Sequence, residues 1–241
     1  MDFDAIFTAY YGQYRADSDI PTSADSEYAV GMALANEAIN RWSNYDGMYW
    51  RTLFTTLKSS TQVSPALVST ITTGTTKYTA PTDFKEAGGF LRILGATGAT
   101  RETYPIVEVD KVQFRGDDSR YCYFTGSPAS GYTLNINPAP TSQINGLSFD
   151  YVYYKTPTNF NTGTSRTEMS DPYFIVHRVL ASQFRAARNP YYSSAKADAE
   201  NALKQMKMDN DSGNWANPIT VTDNSGAVWG GNMGNNFFGP R

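Results

Sequence analysis

The sequence predicts an α+β fold: a helical bundle from N- and C-terminal helices, with an inserted antiparallel β domain and an extended C-terminal tail. Three observations lead to this prediction. Apolar residues recur every three or four positions near both ends of the 241-residue chain, which is typical of helices, and every second position in its middle, which is typical of strands. The final segment, rich in Gly and Asn, follows neither period. We therefore expect N-terminal helices in 1–60, a β domain in 61–165, C-terminal helices in 166–210 and a tail in 211–241.

Two helical stretches are predicted before the β region. The apolar face of the first contains Phe3, Ile6, Phe7, Tyr10, Tyr11 and Tyr14. The second follows cap candidates in SADSEY, and its narrower seam contains Tyr28, Met32, Ala35, Ile39 and Trp42. Gly47 interrupts this pattern, but apolar residues resume from Tyr49 to Leu57. We therefore expect two helical segments joined by a kink.

The β region begins at about Pro65, where the apolar period changes to two. In GYTLNIN, Leu134 and Ile136 share a side with Tyr132, and GLSFDYVYY places Ser148 and Asp150 opposite its apolar residues. The apolar residues of that second stretch are Leu147, Phe149, Tyr151 and Tyr153. Further strand candidates are ALVSTI, GFLRIL, IVEVDKVQF and YCYF. Because the turns between them leave no room for crossover helices, we expect an antiparallel sheet or a small sandwich.

Two more helices are predicted after the β region. Asp171 is an N-cap candidate, and Pro172 suits the first turn because its missing N–H would have no partner there. The apolar face that follows contains Ile175, Val176, Val179, Leu180 and Phe184. Asn189 and Pro190 end this helix and begin the next, whose face contains Ala195, Ala199, Ala202, Leu203 and Met206.

The overall charge argues against nucleic-acid or anionic-membrane binding as the main function. With 20 basic and 23 acidic residues the formal net charge is -3, whereas proteins that grip such polyanions are usually basic. The N-terminus is acidic where a signal peptide needs positive charge, and no apolar stretch approaches the ~20 residues of a membrane span. We expect a chain that is made and used in a cytosol. Its one cysteine, Cys122, is expected to be a small buried side chain.

Sequence motifs for catalysis or for metal and cofactor binding are weak. His177 is the only histidine, which excludes His-based metal clusters and leaves a single base for a catalytic triad. The glycine-rich turns lack the residues of a phosphate-binding loop. Asp117 and Asp118 are adjacent in a predicted turn and would need a partner carboxylate from elsewhere. We expect no enzyme activity, no cofactor and no metal.

Aromatic residues make up 14% of the chain, and many are tyrosines. Tyrosine combines an apolar ring with a hydroxyl, which suits surfaces that are buried on assembly. The glycine-rich final segment GAVWGGNMGNNFFGPR also carries large aromatic side chains. An alternative interpretation is a carbohydrate-binding or other tail-associated β-sandwich protein, in which strand tyrosines form a stacking platform.

Several stretches resemble head-to-tail adaptor proteins of tailed bacteriophages, also called connector, neck or head completion proteins. The resemblance spans most of residues 1–210 and rests on DSEYAVGMALANEAINRWSNYDGMYWRTLFTTL, KYTAPTDFKE, DYVYYKTPTNF and DPYFIVHRVLASQFRAARNPYYSSAKADAENALKQM. It implies a virion protein in the neck between capsid and tail, assembled in the host cytoplasm. It also implies a ring of usually twelve copies, bound to the portal protein and to a tail or stopper/nozzle protein. DNA would pass through its channel without sequence-specific binding, and no catalysis is implied.

Members of this kind often send an extended C-terminus into the portal, which implies that Trp229, Phe237 and Phe238 are portal-binding anchors. We expect this tail to become ordered only in the assembly. A ring also uses two different faces of each subunit. The aromatic face of the first helix is therefore a candidate subunit interface, through Phe3, Phe7, Tyr10 and Tyr14.

Overall fold

The computed structural model describes residues 1–15, 19–57, 70–116 and 119–212. These residues divide into two compact units. Unit 1 contains Met1–Leu53 and the described residues from Thr156 onward, and unit 2 contains Phe54–Lys155. Helices from both ends of the chain therefore fold together, and the β-rich part is inserted between them.

Unit 1 contains the helices α1 (Phe3–Arg15), α2 (Ser26–Ser43), α3 (Tyr173–Ala186) and α4 (Tyr192–Ser212). α3 packs against each of the other three. The helices predicted from the 3.6-residue period are confirmed at these places. Asp171 Oδ1 accepts the backbone N–H of Tyr173 at 3.0 Å, as the cap prediction requires, and Pro172 has helical φ and ψ of −65° and −17°.

The interior of unit 1 is aromatic where α2 ends. Trp42 is fully buried, and its ring centroid lies 5.3 Å from that of Trp50. The Trp50 indole N–H donates to the Trp42 carbonyl oxygen at 2.8 Å. Each such buried ring stabilises the fold by roughly 1.5–3 kcal/mol relative to an exposed one. The seam predicted on α2 thus forms part of the core.

The second helical segment predicted at Tyr49–Leu57 is wrong. After α2 the chain makes a 3₁₀ turn at Tyr45–Gly47, where Asp46 and Gly47 have φ of 52° and 64°. Two consecutive residues with positive φ end a right-handed helix. A short 3₁₀ turn and then a strand follow, since the β-branched Thr55 and Thr56 suit an extended backbone.

Unit 2 contains the strands β1 (Phe54–Leu57), β2 (Lys77–Thr79), β3 (Phe84–Ala87), β4 (Phe90–Leu94), β5 (Thr100–Pro105), β6 (Tyr121–Ser127), β7 (Gly131–Asn137) and β8 (Ser148–Lys155). One sheet has the order β1-β8-β4-β5, with β3 also paired to β8, and the second has the order β2-β7-β6. Each of these strand pairs is antiparallel, as predicted.

β8 is the central strand of the larger sheet. Phe149, Tyr151 and Tyr153 are buried, which confirms the predicted apolar side. Asp150 on the opposite side is also only 9% exposed. It lies beside Arg92 of β4, whose Nε and Nη2 donate to the two carboxylate oxygens at 2.8 and 2.6 Å. Asp150 is therefore buried beneath an Arg92 side chain that is itself 48% exposed.

Not every strand of unit 2 was predicted correctly. IVEVDKVQF is wrong as a strand, because only Ile106 makes an isolated bridge and Val109–Phe114 is a 3₁₀ helix. Its charged residues Glu108 and Lys111 pair at 2.8 Å, at a spacing that suits a helical turn. Strand β5 was not predicted, because its many polar residues obscure the alternation of apolar and polar residues that indicates a strand. Most of ALVSTI lies outside the described residues.

Candidate functional site

Of the four α1 aromatic residues predicted to contact a neighbouring subunit, three lie in the interior of unit 1. Phe3 and Phe7 are each 1% exposed and Tyr10 is 3% exposed. The rings of Phe3 and Phe7 lie 5.0 and 4.9 Å from the ring of Tyr28 on α2. The apolar face of α1 is therefore covered by the chain's own helices.

The close approach of α1 to α2 depends on a glycine. A Cβ at Gly31 would lie 2.6 Å from Cε2 of Phe7, so any larger residue would displace that ring. The Tyr28 hydroxyl donates to Asp4 Oδ1 at 2.6 Å. Burial raises the pKa of Tyr28 to about 12, and the hydroxyl therefore remains a donor at neutral pH.

Tyr14 is the partly exposed member of the four. Its ring centroid lies 5.9 Å from that of Phe184 on α3, and the Arg15 guanidinium lies 5.6 Å from the centroid of the same ring. Contact between α1 and a neighbouring subunit stays a prediction. Of the four predicted residues, Tyr14 is the one whose ring is accessible for such a contact.

The predicted portal anchors Trp229, Phe237 and Phe238 lie outside the described residues. α4 continues to Ser212, so the first residues of the predicted tail, 211–241, belong to this helix. The anchoring role of the three aromatic residues stays a prediction.

Unit 2 has an aromatic groove, which we define by Phe84, Phe124 and Tyr132. The Phe84 ring centroid lies 4.3 Å from that of Phe124 and 5.0 Å from that of Tyr132. The groove encloses about 220 Å³ and has Lys85 and Glu108 at its margin. Burial lowers the pKa of Lys85. Sequence reasoning missed this groove, although Phe84 lies in the KYTAPTDFKE stretch that supports the family resemblance.

Two large apolar side chains of unit 2 are exposed on the 3₁₀ helix Val109–Phe114. Val109 is 54% exposed and Phe114 is 78% exposed. Exposed large apolar groups are typical of contact surfaces when they form a contiguous patch. The sequence did not distinguish this 3₁₀ helix from a strand, because its apolar residues alternate with polar ones as they do in a strand.

A basic pocket of about 200 Å³ lies between α2, α3 and α4 of unit 1. Its cationic lining residues are Arg41, Arg178, Lys196 and Lys204. Burial, followed by repulsion from Arg41, lowers the pKa of the Arg178 guanidinium. Sequence reasoning missed this pocket, because its cations come from three helices that are distant along the chain.

Of the groups considered for catalysis, His177 lies within the described residues. His177 is half-buried on α3, with its ring centroid 6.4 Å from that of Tyr173, and Asp117 and Asp118 lie outside the described residues. Within residues 1–15, 19–57, 70–116 and 119–212 there is no group of three or more His, Cys, Asp or Glu side chains that could hold a metal ion. Cys122 is fully buried, as predicted, and burial raises the pKa of its thiol.

None of the described helices has the length and apolar character needed to cross a membrane. The arrangement of the described residues is that of two packed units with candidate contact surfaces: the outer side of α1, the basic pocket, the aromatic groove and the exposed 3₁₀ helix.

Comparison with known families identifies the chain. A search of curated proteins found no match. A family model described as SU10 adaptor protein matches residues 9–222, which is well over half of the 241 residues and includes all of Phe54–Lys155. The chain therefore belongs to the SU10 adaptor protein family, which confirms its resemblance to the head-to-tail adaptors of tailed bacteriophages.

Proposed function

We propose that this phage adaptor protein forms a ring between the portal and the tail and provides a channel for DNA passage. The observation that carries the proposal is the family match over residues 9–222. We place the protein in the neck of the virion and expect usually twelve copies, assembled in the host cytoplasm. DNA passes without sequence-specific contacts, which agrees with the net charge of -3.

The exposed apolar residues support a role in assembly. Phe90 and Phe114 of unit 2 are 42% and 78% exposed, and Tyr173 and Tyr191 of unit 1 are 50% and 66% exposed. A closed ring needs two different contact faces on each subunit. Aromatic side chains at the surface are the type that protein interfaces favour.

The C-terminal segment is proposed to bind the portal through Trp229, Phe237 and Phe238. The glycines of this segment would allow its backbone to follow a groove or to add a strand to a partner sheet. A tail or stopper/nozzle protein would bind the opposite side of the ring. This proposal rests on the sequence of the segment and on family membership.

For the proposed subunit contact through α1, the four aromatic residues differ in their exposure. Phe3, Phe7 and Tyr10 are buried in unit 1 and would act by holding the helix in place. Tyr14 is the predicted residue that would touch a neighbouring copy directly.

The alternative of carbohydrate binding loses most of the observation that favoured it. The strand tyrosines Tyr78, Tyr104, Tyr151 and Tyr153 are at most 7% exposed and belong to the core of unit 2, and Tyr132 in the aromatic groove is partly buried. Buried rings cannot stack on a sugar. We therefore do not adopt this function as a second candidate.

Mixing the purified chain with the portal of its phage and imaging the product by electron microscopy tests the proposal. The expected product is a portal ring with a second ring of this chain attached. A matched variant that ends after Ser212 retains the described helices and is expected to lose portal binding. A monomer that binds neither portal nor tail components, but does bind a glycan, would overturn the proposal.

A further inference from the structure

The basic pocket of unit 1 has the lining of a binding site for an anionic side chain. Its floor is apolar, since Phe174, Ala199 and Leu203 are at most 3% exposed. Among the described residues that line its volume of about 200 Å³, four are cationic and one, Glu200, is anionic. A recess with this lining accepts a carboxylate between its cations and the aliphatic stem of the same side chain on its floor.

The cations of the pocket are only partly neutralised by the chain itself. Lys196 pairs with Glu200 at 3.7 Å. Among the residues that the structure describes, no carboxylate oxygen lies within 4.0 Å of a charged nitrogen of Arg41, Arg178 or Lys204. Burial and then repulsion from Arg41 lower the pKa of Arg178, and more distant carboxylates offset this only in part. Like charges that converge in this way cost free energy unless an anion lies between them.

The pocket lies on the helix that leads into the proposed portal-binding segment. Lys196 and Lys204 are on α4, which ends at Ser212. At 1.5 Å per residue, Lys204 is about 12 Å from that end along the helix axis. The C-terminal segment that we propose to bind the portal follows directly in the sequence. A protein that binds the beginning of this segment therefore has the pocket within reach.

The lining favours an acidic side chain of a protein over DNA. The phosphates of a duplex form rows along a backbone, whereas these cations converge on one recess with an apolar floor. A Glu or Asp side chain offers a single carboxylate on an aliphatic stem, which matches both parts of the lining. Arg178 supplies the planar guanidinium that binds a carboxylate through two parallel hydrogen bonds.

We propose that the basic pocket binds an acidic side chain of the portal protein and forms a second contact beside the C-terminal segment. The inference rests on the adaptor function proposed above, and it names a site through which the adaptor would hold its partner. Two contacts from one helix strengthen each other, because binding through one raises the effective concentration of the other.

Neutralising the pocket tests the contact. A variant with Arg178→Gln and Lys204→Gln is expected to bind the immobilised portal about tenfold more weakly than the wild type, since charge-assisted hydrogen bonds are lost. Added salt is expected to weaken binding of the wild type more than that of this variant. The matched control carries Lys77→Gln and Arg101→Gln, which remove the same charge from exposed positions of unit 2, and it should bind as the wild type does. Circular dichroism checks the folding of both variants.

Carbodiimide cross-linking identifies the group that occupies the pocket. The reagent joins a carboxylate to a lysine amine that it contacts, so Lys204 of the portal-bound protein is expected to be linked to an Asp or Glu of the portal, as read by mass spectrometry. Lys204→Arg keeps the charge and is expected to retain portal binding but to lose this link, because the reagent does not couple arginine. The exposed Lys77 is the internal control and is expected to gain no portal link.

The outcomes separate the two proposals. If the wild type binds the portal, but the neutralised variant binds equally well and Lys204 gains no portal link, the contact is wrong and the adaptor function stands. A link from Lys204 to a second copy of this chain, instead of to the portal, would make the pocket a contact between copies and overturn the inference. The inference is also overturned if the neutralised variant keeps its portal affinity but loses salt-dependent binding of duplex DNA. If the wild type binds no portal, both proposals fail.

Discussion

Replacing Gly31 by alanine is expected to destabilise unit 1, even though alanine is the better helix former. The new methyl group would lie 2.6 Å from Cε2 of Phe7, about 1 Å closer than an ordinary carbon contact. The Phe7 ring has little room to move, because its centroid lies within 5.7 Å of those of Phe3, Tyr10, Tyr11 and Tyr28.

The expected free-energy change is the difference between two effects. Overpacking of a tight core costs about 1–3 kcal/mol, while alanine in place of glycine in a helix gains about 1 kcal/mol. We expect a net loss of about 1 kcal/mol, measured as a lower midpoint of urea unfolding followed by circular dichroism at the helix band. The loss is expected to shrink when Phe7→Leu is added, because the smaller side chain leaves room for the methyl group.

The matched control is Gly12→Ala on α1. A Cβ at Gly12 meets nothing within 4 Å, so only the gain in helix propensity applies and the midpoint should rise. Equal midpoints for the Gly31→Ala and Gly12→Ala proteins would refute the reasoning from the close approach of the two helices.

Three further predictions concern single residues. Arg92→Ala is expected to cost about 1–3 kcal/mol because it leaves Asp150 without its bidentate partner, and Arg92→Lys less; urea midpoints that match the wild type would contradict this. Burial raises the pKa of Tyr10 to about 12 in the folded protein, against about 10 when unfolded, so stability is expected to fall between pH 10 and 12 as the unfolded chain loses this proton, and Tyr10→Phe should weaken that dependence. The Cys122 thiol is expected to react with Ellman's reagent only after unfolding, and fast reaction of the native protein would contradict its burial.

The sequence predicted the elements whose apolar pattern has a single period. α1 is the clearest case, because it presents one face to a core and the other to water. The stretch that contains β1 was mistaken for a helix, since the apolar spacing of Tyr49, Trp50, Leu53 and Leu57 fits a helix even though the chain there turns and extends. The spacing of apolar residues alone could not exclude a helix in this stretch.

The candidate surfaces were harder to predict, because they depend on contacts between residues that are far apart in sequence. The aromatic face of α1 has the same pattern whether its own chain or a neighbour covers it. Its cover comes from α2, α3 and Phe160, whose backbone exchanges hydrogen bonds with Asn36 at 2.7 and 3.0 Å. The cations of the basic pocket likewise meet only after folding.

The pairing of the first and last strands of unit 2 brings the two ends of the inserted segment together. Phe54 of β1 lies directly opposite Tyr154 of β8. The two ends of the inserted segment are therefore neighbours. Once this strand pair forms, most of the entropy cost of closing so long an inserted loop has already been met. A module with adjacent termini can be deleted, enlarged or exchanged by recombination, with a short linker sufficient to reconnect the remaining helices. The β-rich unit can therefore change in length while the helices of unit 1 keep their packing.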